Sequence, residues 1–133
     1  MKEITKPWRQ YWYNDILRLY GDIVFSYEDD DYQGETVAIL FDETKGYGFI
    51  VFSWGSCSVC DELQACESKH DFDYLVESMY NSIHWEETKE NLAKWMQQRD
   101  WKGQHCWWKG RIIEIVGGAM KAIGFEYKQE VSE

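Results

Sequence analysis

Cys57, Cys60, Cys66 and His70 fall within one stretch, FIVFSWGSCSVCDELQACESKH from Phe49 to His70, and their types could do chemistry together. Zinc takes thiolates and imidazoles, and Cys57 with Cys60, two residues between them, is a good half-site. The second half is weaker. Ser68 and Asp71 have capping-box spacing, with Asp in place of the usual Glu. Cys66 would then end one element while His70 sits in the first turn of the next, and nothing in the spacing makes them converge. A dithiol redox pair is the second reading, because a helix N-terminus would stabilise the Cys57 thiolate. That chemistry usually relies on a proline facing the motif and on a βαβ unit. Pro7 is the only proline, and hairpins lead into this corner. The third reading is a tight corner. Gly55, Ser56 and Ser58 suit a sharp turn, a serine or Asp61 can cap the following helix, and buried cysteine packs as a small apolar residue. The third reading asks least of the residues and is preferred, so no metal and no cofactor is expected.

Other candidates fail on spacing. EDDDYQGE gathers carboxylates from Glu28 through Asp29, Asp30 and Asp31 to Glu35. A calcium loop begun at Asp29 puts Gly34 at the sixth position but Leu40 at the twelfth, where a bidentate glutamate belongs. A solvated acidic turn is expected instead. His84 beside Trp85 is read as a capping or packing residue at a helix end. His105 and Cys106 are adjacent, and neighbours along a chain seldom point at each other. With no phosphate loop, dinucleotide fingerprint or metalloprotease motif, no enzyme is expected.

These residues must be carried by a chain of 133 amino acids, enough for one domain over 1–133. Hydrophobic residues are 44% and aromatics 17%, so a packed core is expected, with part of the aromatic excess left at the surface, where Trp and Tyr favour binding. Trp107 and Trp108 are candidates for that role. Twenty-four acidic residues against fourteen basic ones leave a formal charge of −10. Such a field repels phosphate backbones and anionic membranes and suits a basic partner protein. No leader segment or bilayer-spanning apolar run is read, which points to the cytoplasm, where cysteines remain thiols or ligands.

Pro7 suits the first turn of a helix and Gly21 its stop. Trp8, Trp12, Ile16 and Leu19 share a stripe, so a helix is expected over about Pro7 to Tyr20. DIVFSY, TVAILF and YGFIVFSW are rich in β-branched and aromatic residues and are separated by short turns, which predicts a three-stranded antiparallel meander. From Cys60 the reading is helical. Phe72, Leu75, Val76, Met79 and Ile83 mark one helix, and Leu92, Trp95, Met96 and Arg99 a second. Ile112, Val116, Met120 and Ile123 mark a third, in which Gly117 and Gly118 suggest a close helix crossing or a break. The fold class expected is α+β, with an N-terminal helix, about three C-terminal helices, and the helices on one face of the sheet.

DYQGETVAILF, SWGSCSVCDELQAC, LVESMYNSIHW and RDWKG, in that order, resemble an uncharacterised family of small acidic proteins of bacteriophages, prophages and some bacteria. That family is marked by a corner like YGSCSGCD. The resemblance spans about Asp31 to Gly103 and carries Cys57, Cys60, Asp61 and Cys66 onto the pattern. It departs at Val59, where glycine stands in the family, and Cys106 has no counterpart. It implies an origin rather than a chemistry, since small acidic phage proteins often act by binding a host protein, including defence nucleases. The sequence reading is therefore a non-enzymatic binding protein acting in the host-cell cytoplasm, which modulates or inhibits a basic host protein. Glu28, Asp29, Asp30, Asp31, Trp107 and Trp108 are the expected contacts. The alternative is a small zinc- or thiol-based module built on Cys57 and Cys60, with Cys66 and His70 completing a metal site.

Overall fold

The computed structural model describes residues 1–28, 34–54, 61–101 and 112–128. Its class is α+β with an antiparallel sheet, as the strand and helix patterns predict. Four strands lie in chain order: β1 (Asp22–Glu28), β2 (Gly34–Asp42), β3 (Gly46–Trp54) and β4 (His84–Glu86). Among the described residues the helices are α1 (Tyr13–Tyr20), α2 (Lys69–Asn81), α3 (Lys89–Gln98) and α4 (Ile112–Ala122), with a short 3-10 turn at Trp8–Gln10.

The fourth strand corrects the three-stranded expectation. β4 is only three residues long and follows α2 directly, pairing Tyr47 with Glu86, Gly48 with Trp85 and Phe49 with His84. A run this short carries no period of its own. Gly48 opens the space for it, because a Cβ there would meet the Trp85 ring at 2.9 Å and Ile83 Cγ2 at 2.7 Å. His84 therefore lies in a strand, not at a helix end. Its ring stacks on Trp95 at 3.8 Å between centroids, and its Nε2 lies 2.5 Å from Glu86 Oε2.

The sheet is also covered on both faces, not one. Ala38, Leu40 and Ile50 pack with α1 and α2, around Ile16, Leu17, Tyr20, Phe72 and Val76. Val37, Ile39 and Phe49, one residue out of phase, pack with α3 and α4, around Leu92, Met96, Val116 and Met120. Successive strand residues point to opposite faces, so a central strand with helices on both sides is apolar throughout. Val37 to Leu40 are all buried for that reason. In β1 the pairing slips between Ile23, opposite Leu40, and Phe25, opposite Ile39. This bulge moves the strand across the pleat, so Ile23 joins the α1/α2 core while Phe25 and Tyr27 join the other.

The expected first helix is divided. Tyr11 is extended at φ −84°, ψ 132°, which ends the 3-10 turn, and α1 starts afresh at Tyr13. The Trp12 amide donates to Asp15 Oδ2 at 2.9 Å and so ties down the new N-terminus. This bond, with Lys6 and Arg18 nearby, holds the Asp15 carboxyl below its ordinary range. Because the helical phase restarts, Trp12 leaves the predicted stripe and is exposed, while Tyr13 is buried. Gly21 does end α1, and a Cβ at that position would lie 2.6 Å from the Phe41 carbonyl oxygen. Between β2 and β3, Asp42 Oδ2 accepts from the Thr44 and Lys45 amides, and Gly46 completes the turn at φ +94°. A Cβ at Gly46 would press to 2.3 Å from the Glu86 carbonyl oxygen, so glycine is needed there on two counts.

α4 is continuous through both glycines. Gly118 faces a strand rather than a helix: its missing Cβ would stand 3.6 Å from the Phe25 ring, while nothing lies within 4 Å of one at Gly117. Gly117→Ala is accordingly expected to stabilise the protein by about 0.5–1 kcal/mol, the helix-propensity difference. A rise in melting temperature with unchanged circular dichroism would show it. A fall would mean that the position needs glycine for a reason other than space.

Candidate binding surface around Cys66

After β3 the described chain resumes at Asp61, which is buried at 2% exposure. Its Oδ1 accepts the Leu63 and Gln64 amides at 2.9 and 3.1 Å, as a capping carboxylate should, and the Tyr13 hydroxyl at 2.6 Å. The Leu63 amide also donates to that hydroxyl oxygen at 3.2 Å. Tyr13 in turn packs its ring on Phe52 of β3, 4.9 Å between centroids. One buried carboxylate thus fastens the Asp61–Cys66 turn to α1 and to the sheet. Burial, reinforced by the bond to Asp61, drives the Tyr13 phenol well above its ordinary pKa.

Cys66 closes this turn, its amide bonded to the Leu63 carbonyl at 3.2 Å and its Sγ donating to the Glu62 carbonyl at 3.3 Å. Two residues on, Ser68 caps α2, its Oγ accepting the Asp71 amide at 3.2 Å. Asp71 Oδ2 accepts from the Glu67 amide, one residue before the cap, so the expected capping box is present in a shifted form. The two caps set α2 beside the turn, and a groove of about 520 Å³ runs between them. Glu62, Cys66, His70, Asp71, Tyr74 and Leu75 line it. A smaller groove of about 220 Å³ lies between the turn and the N-terminal segment, lined by Trp8, Arg9, Trp12 and Gln64. Cys66 borders both.

Cys66 and His70 thus share a groove, which the spacing gives no reason to expect. Among the described residues no group of three or more His, Cys, Asp or Glu side chains could hold a metal ion. Burial, then the charges of Asp71, Glu62 and Asp61, push the Cys66 thiol up, so at neutral pH it stays protonated and is a poor nucleophile. Cys57, Cys60, His105, Cys106, Trp107 and Trp108 lie outside the described residues, as do Asp29, Asp30 and Asp31. Glu28 is described, exposed at the end of β1. It pairs with Thr36, which pairs with Phe52, and directly opposed residues point the same way. Glu28 therefore stands on the sheet face that carries Tyr13 and the Asp61 turn.

Protein-family models, curated proteins and solved structures yield no match to this chain.

Part of the aromatic surplus does lie at the surface, at Trp12 and Tyr74 among the described residues. Among the described tryptophans only Trp12 is exposed, at 50%, and Trp101 is buried, its Nε1 donating to the Met96 carbonyl at 2.7 Å. Trp95 and Trp101 meet edge to face, and the Arg99 guanidinium lies over both rings. Most rings serve the two cores. Tyr74, exposed at 73%, is an exception that sequence reading misses. Its signal is its place in α2, one residue before Leu75 and two after Phe72, off the apolar stripe. No helix among the described residues is long and apolar enough to cross a membrane.

Proposed function

We propose that this chain is a non-enzymatic binding protein whose acidic surface takes a basic partner protein. The observation that carries the reading is the charge of −10 on a folded scaffold with grooves between its elements. Carboxylates and exposed rings form a surface that a cationic groove or segment can meet, and like charge turns nucleic acid away. The resemblance to small acidic phage proteins supports a host factor as the partner, one such as a defence nuclease whose own groove is built for phosphates, met in the host cytoplasm. On this reading the acidic turn from Glu28 to Asp31 steers encounter.

Neutralising Glu28, Asp29, Asp30 and Asp31 to Gln or Asn is expected to slow association roughly tenfold at low salt, with dissociation nearly unchanged. Kinetics at two salt concentrations, on a partner captured from host lysate, measure it. Added salt should erase most of the difference, because screening shortens to about 8 Å near physiological ionic strength. Unchanged association in the neutralised variant would return the turn to solubility alone. One tightly held zinc per chain, with unfolding in EDTA, would favour the metal module on Cys57 and Cys60 instead.

A further inference from the structure

The groove between the Asp61–Cys66 turn and α2 has a specific chemical character. Leu75 is buried and Cys66 half-buried, so the floor is apolar, while Glu62 and Asp71 are exposed and put carboxylates at the rim. Among the described residues no lysine or arginine lines it, and Lys69, beside the lining residue His70 in sequence, is held by Asp73 at 2.7 Å. Tyr74 adds a ring that the core does not use. The volume of about 520 Å³ lies within the range of roughly 300–1,000 Å³ typical of ligand clefts.

We propose that this groove is the docking site for a lysine or arginine side chain on a basic segment of the partner protein. The aliphatic stem lies along the apolar floor, the cation meets Glu62 and Asp71, and the Tyr74 ring supplies a cation–π contact. The proposal rests on the basic-partner reading and gives it an address. Burial first, and then the charges of Asp71, Glu62 and Asp61, raise the pKa of the thiol at the floor, in keeping with that field. An anionic ligand would meet that field with the wrong sign. A second copy of this chain would bring its own surplus of ten negative charges to the same place.

The test uses the full chain and two end-capped peptides, one alternating arginine with serine and the other glutamate with serine. Binding is followed by fluorescence anisotropy and by amide chemical-shift mapping at low salt. The arginine peptide is expected to bind, with shifts centred on 62–66 and 70–78, and the glutamate peptide is not. Tyr74→Ala and Glu62→Gln, both at exposed side chains, should each weaken the arginine peptide about fivefold with circular dichroism unchanged. If the arginine peptide binds but those shifts stay still and both variants bind as tightly as the parent, the groove is overturned while the basic-partner reading stands. If the arginine peptide does not bind at all, both fall.

Discussion

Asp61→Ala is expected to remove about 3–4 kcal/mol of stability, a lost helix-type cap together with a buried phenol stripped of its acceptor. Whole domains of this size hold only about 5–15 kcal/mol, so the variant should lose a large share of its stability. The cost comes from geometry. Asp61 is buried at 2% exposure, and its Oδ1 accepts from Tyr13, Leu63 and Gln64 together. Asp61→Asn keeps one acceptor oxygen but loses the charge and turns the other oxygen into an NH2 donor, so it should cost less than the alanine change, about 1–3 kcal/mol. Tyr13→Phe should cost about 1.5–3 kcal/mol, the value of a charge-assisted bond. Because Asp61→Ala already breaks that bond, the double variant should lose clearly less than the sum of the singles. Urea midpoints across this set measure the coupling. An Asp61→Ala variant within about 1 kcal/mol of the parent would show that the carboxylate is not what fastens the turn.

Asp61 also shows where the sequence speaks clearly and where it does not. Its place directly after the cysteine pair, at the head of DELQAC, marks it with the nearby serines as a candidate helix cap. The helical reading from Cys60 is corrected, since α2 begins only at Lys69 behind its Ser68 cap, and Asp61 caps a turn instead. Its bond to Tyr13, 48 positions away, has no local signature. Turn and cap chemistry is written in neighbouring residues, which is why Ser68, Gly21 and the Asp42–Gly46 turn are legible. The burial of both sheet faces is legible too, although the expectation of helices on one face overlooks it. TVAILF has no alternation, and an unbroken apolar strand is what a sheet covered twice requires. β4 is out of reach, because three residues show no period and its pairing depends on Gly48 leaving room for Trp85.

The groove belongs to the second kind of information. Each wall has a readable cause, Asp61 capping the turn and Ser68 capping α2, but the gap between them is set by how the Tyr13 anchor seats the turn against α1. Residue type alone marks Cys66 and His70 as zinc ligands. What they share is a groove rimmed by Glu62 and Asp71, where burial, and then the charge of those carboxylates, keeps the thiol protonated. Type and spacing find the place, while the carboxylates that set its field look like ordinary surface acids in the sequence.

The same anchor makes the fold sensitive to alkali. Tyr13 and Tyr20 are buried at 3% and 1% exposure, and burial raises both phenols well above their ordinary value of 10.0. Tyr20 donates to the Val76 carbonyl at 2.6 Å and so joins α1 to α2, as Tyr13 joins α1 to the Asp61 turn. The folded state holds both protons more tightly than the unfolded chain does. Their stabilising contribution is therefore complete below about pH 10 and is lost as pH rises beyond it, at about 1.4 kcal/mol per pH unit for each tyrosine. Together they should cost about 5 kcal/mol by about pH 12, between a third and the whole of the about 5–15 kcal/mol that domains of this size hold. Tyrosinate absorbance should accordingly rise in two stages, the second coinciding with loss of the near-ultraviolet circular dichroism. Tyr20→Phe separates this linkage from general alkaline damage. It should lower stability near neutral pH by about 1 kcal/mol through the lost bond, yet flatten the decline above about pH 10 by one proton's worth. Complete ionisation of all nine tyrosines with the tertiary signal intact would refute the burial of both phenols.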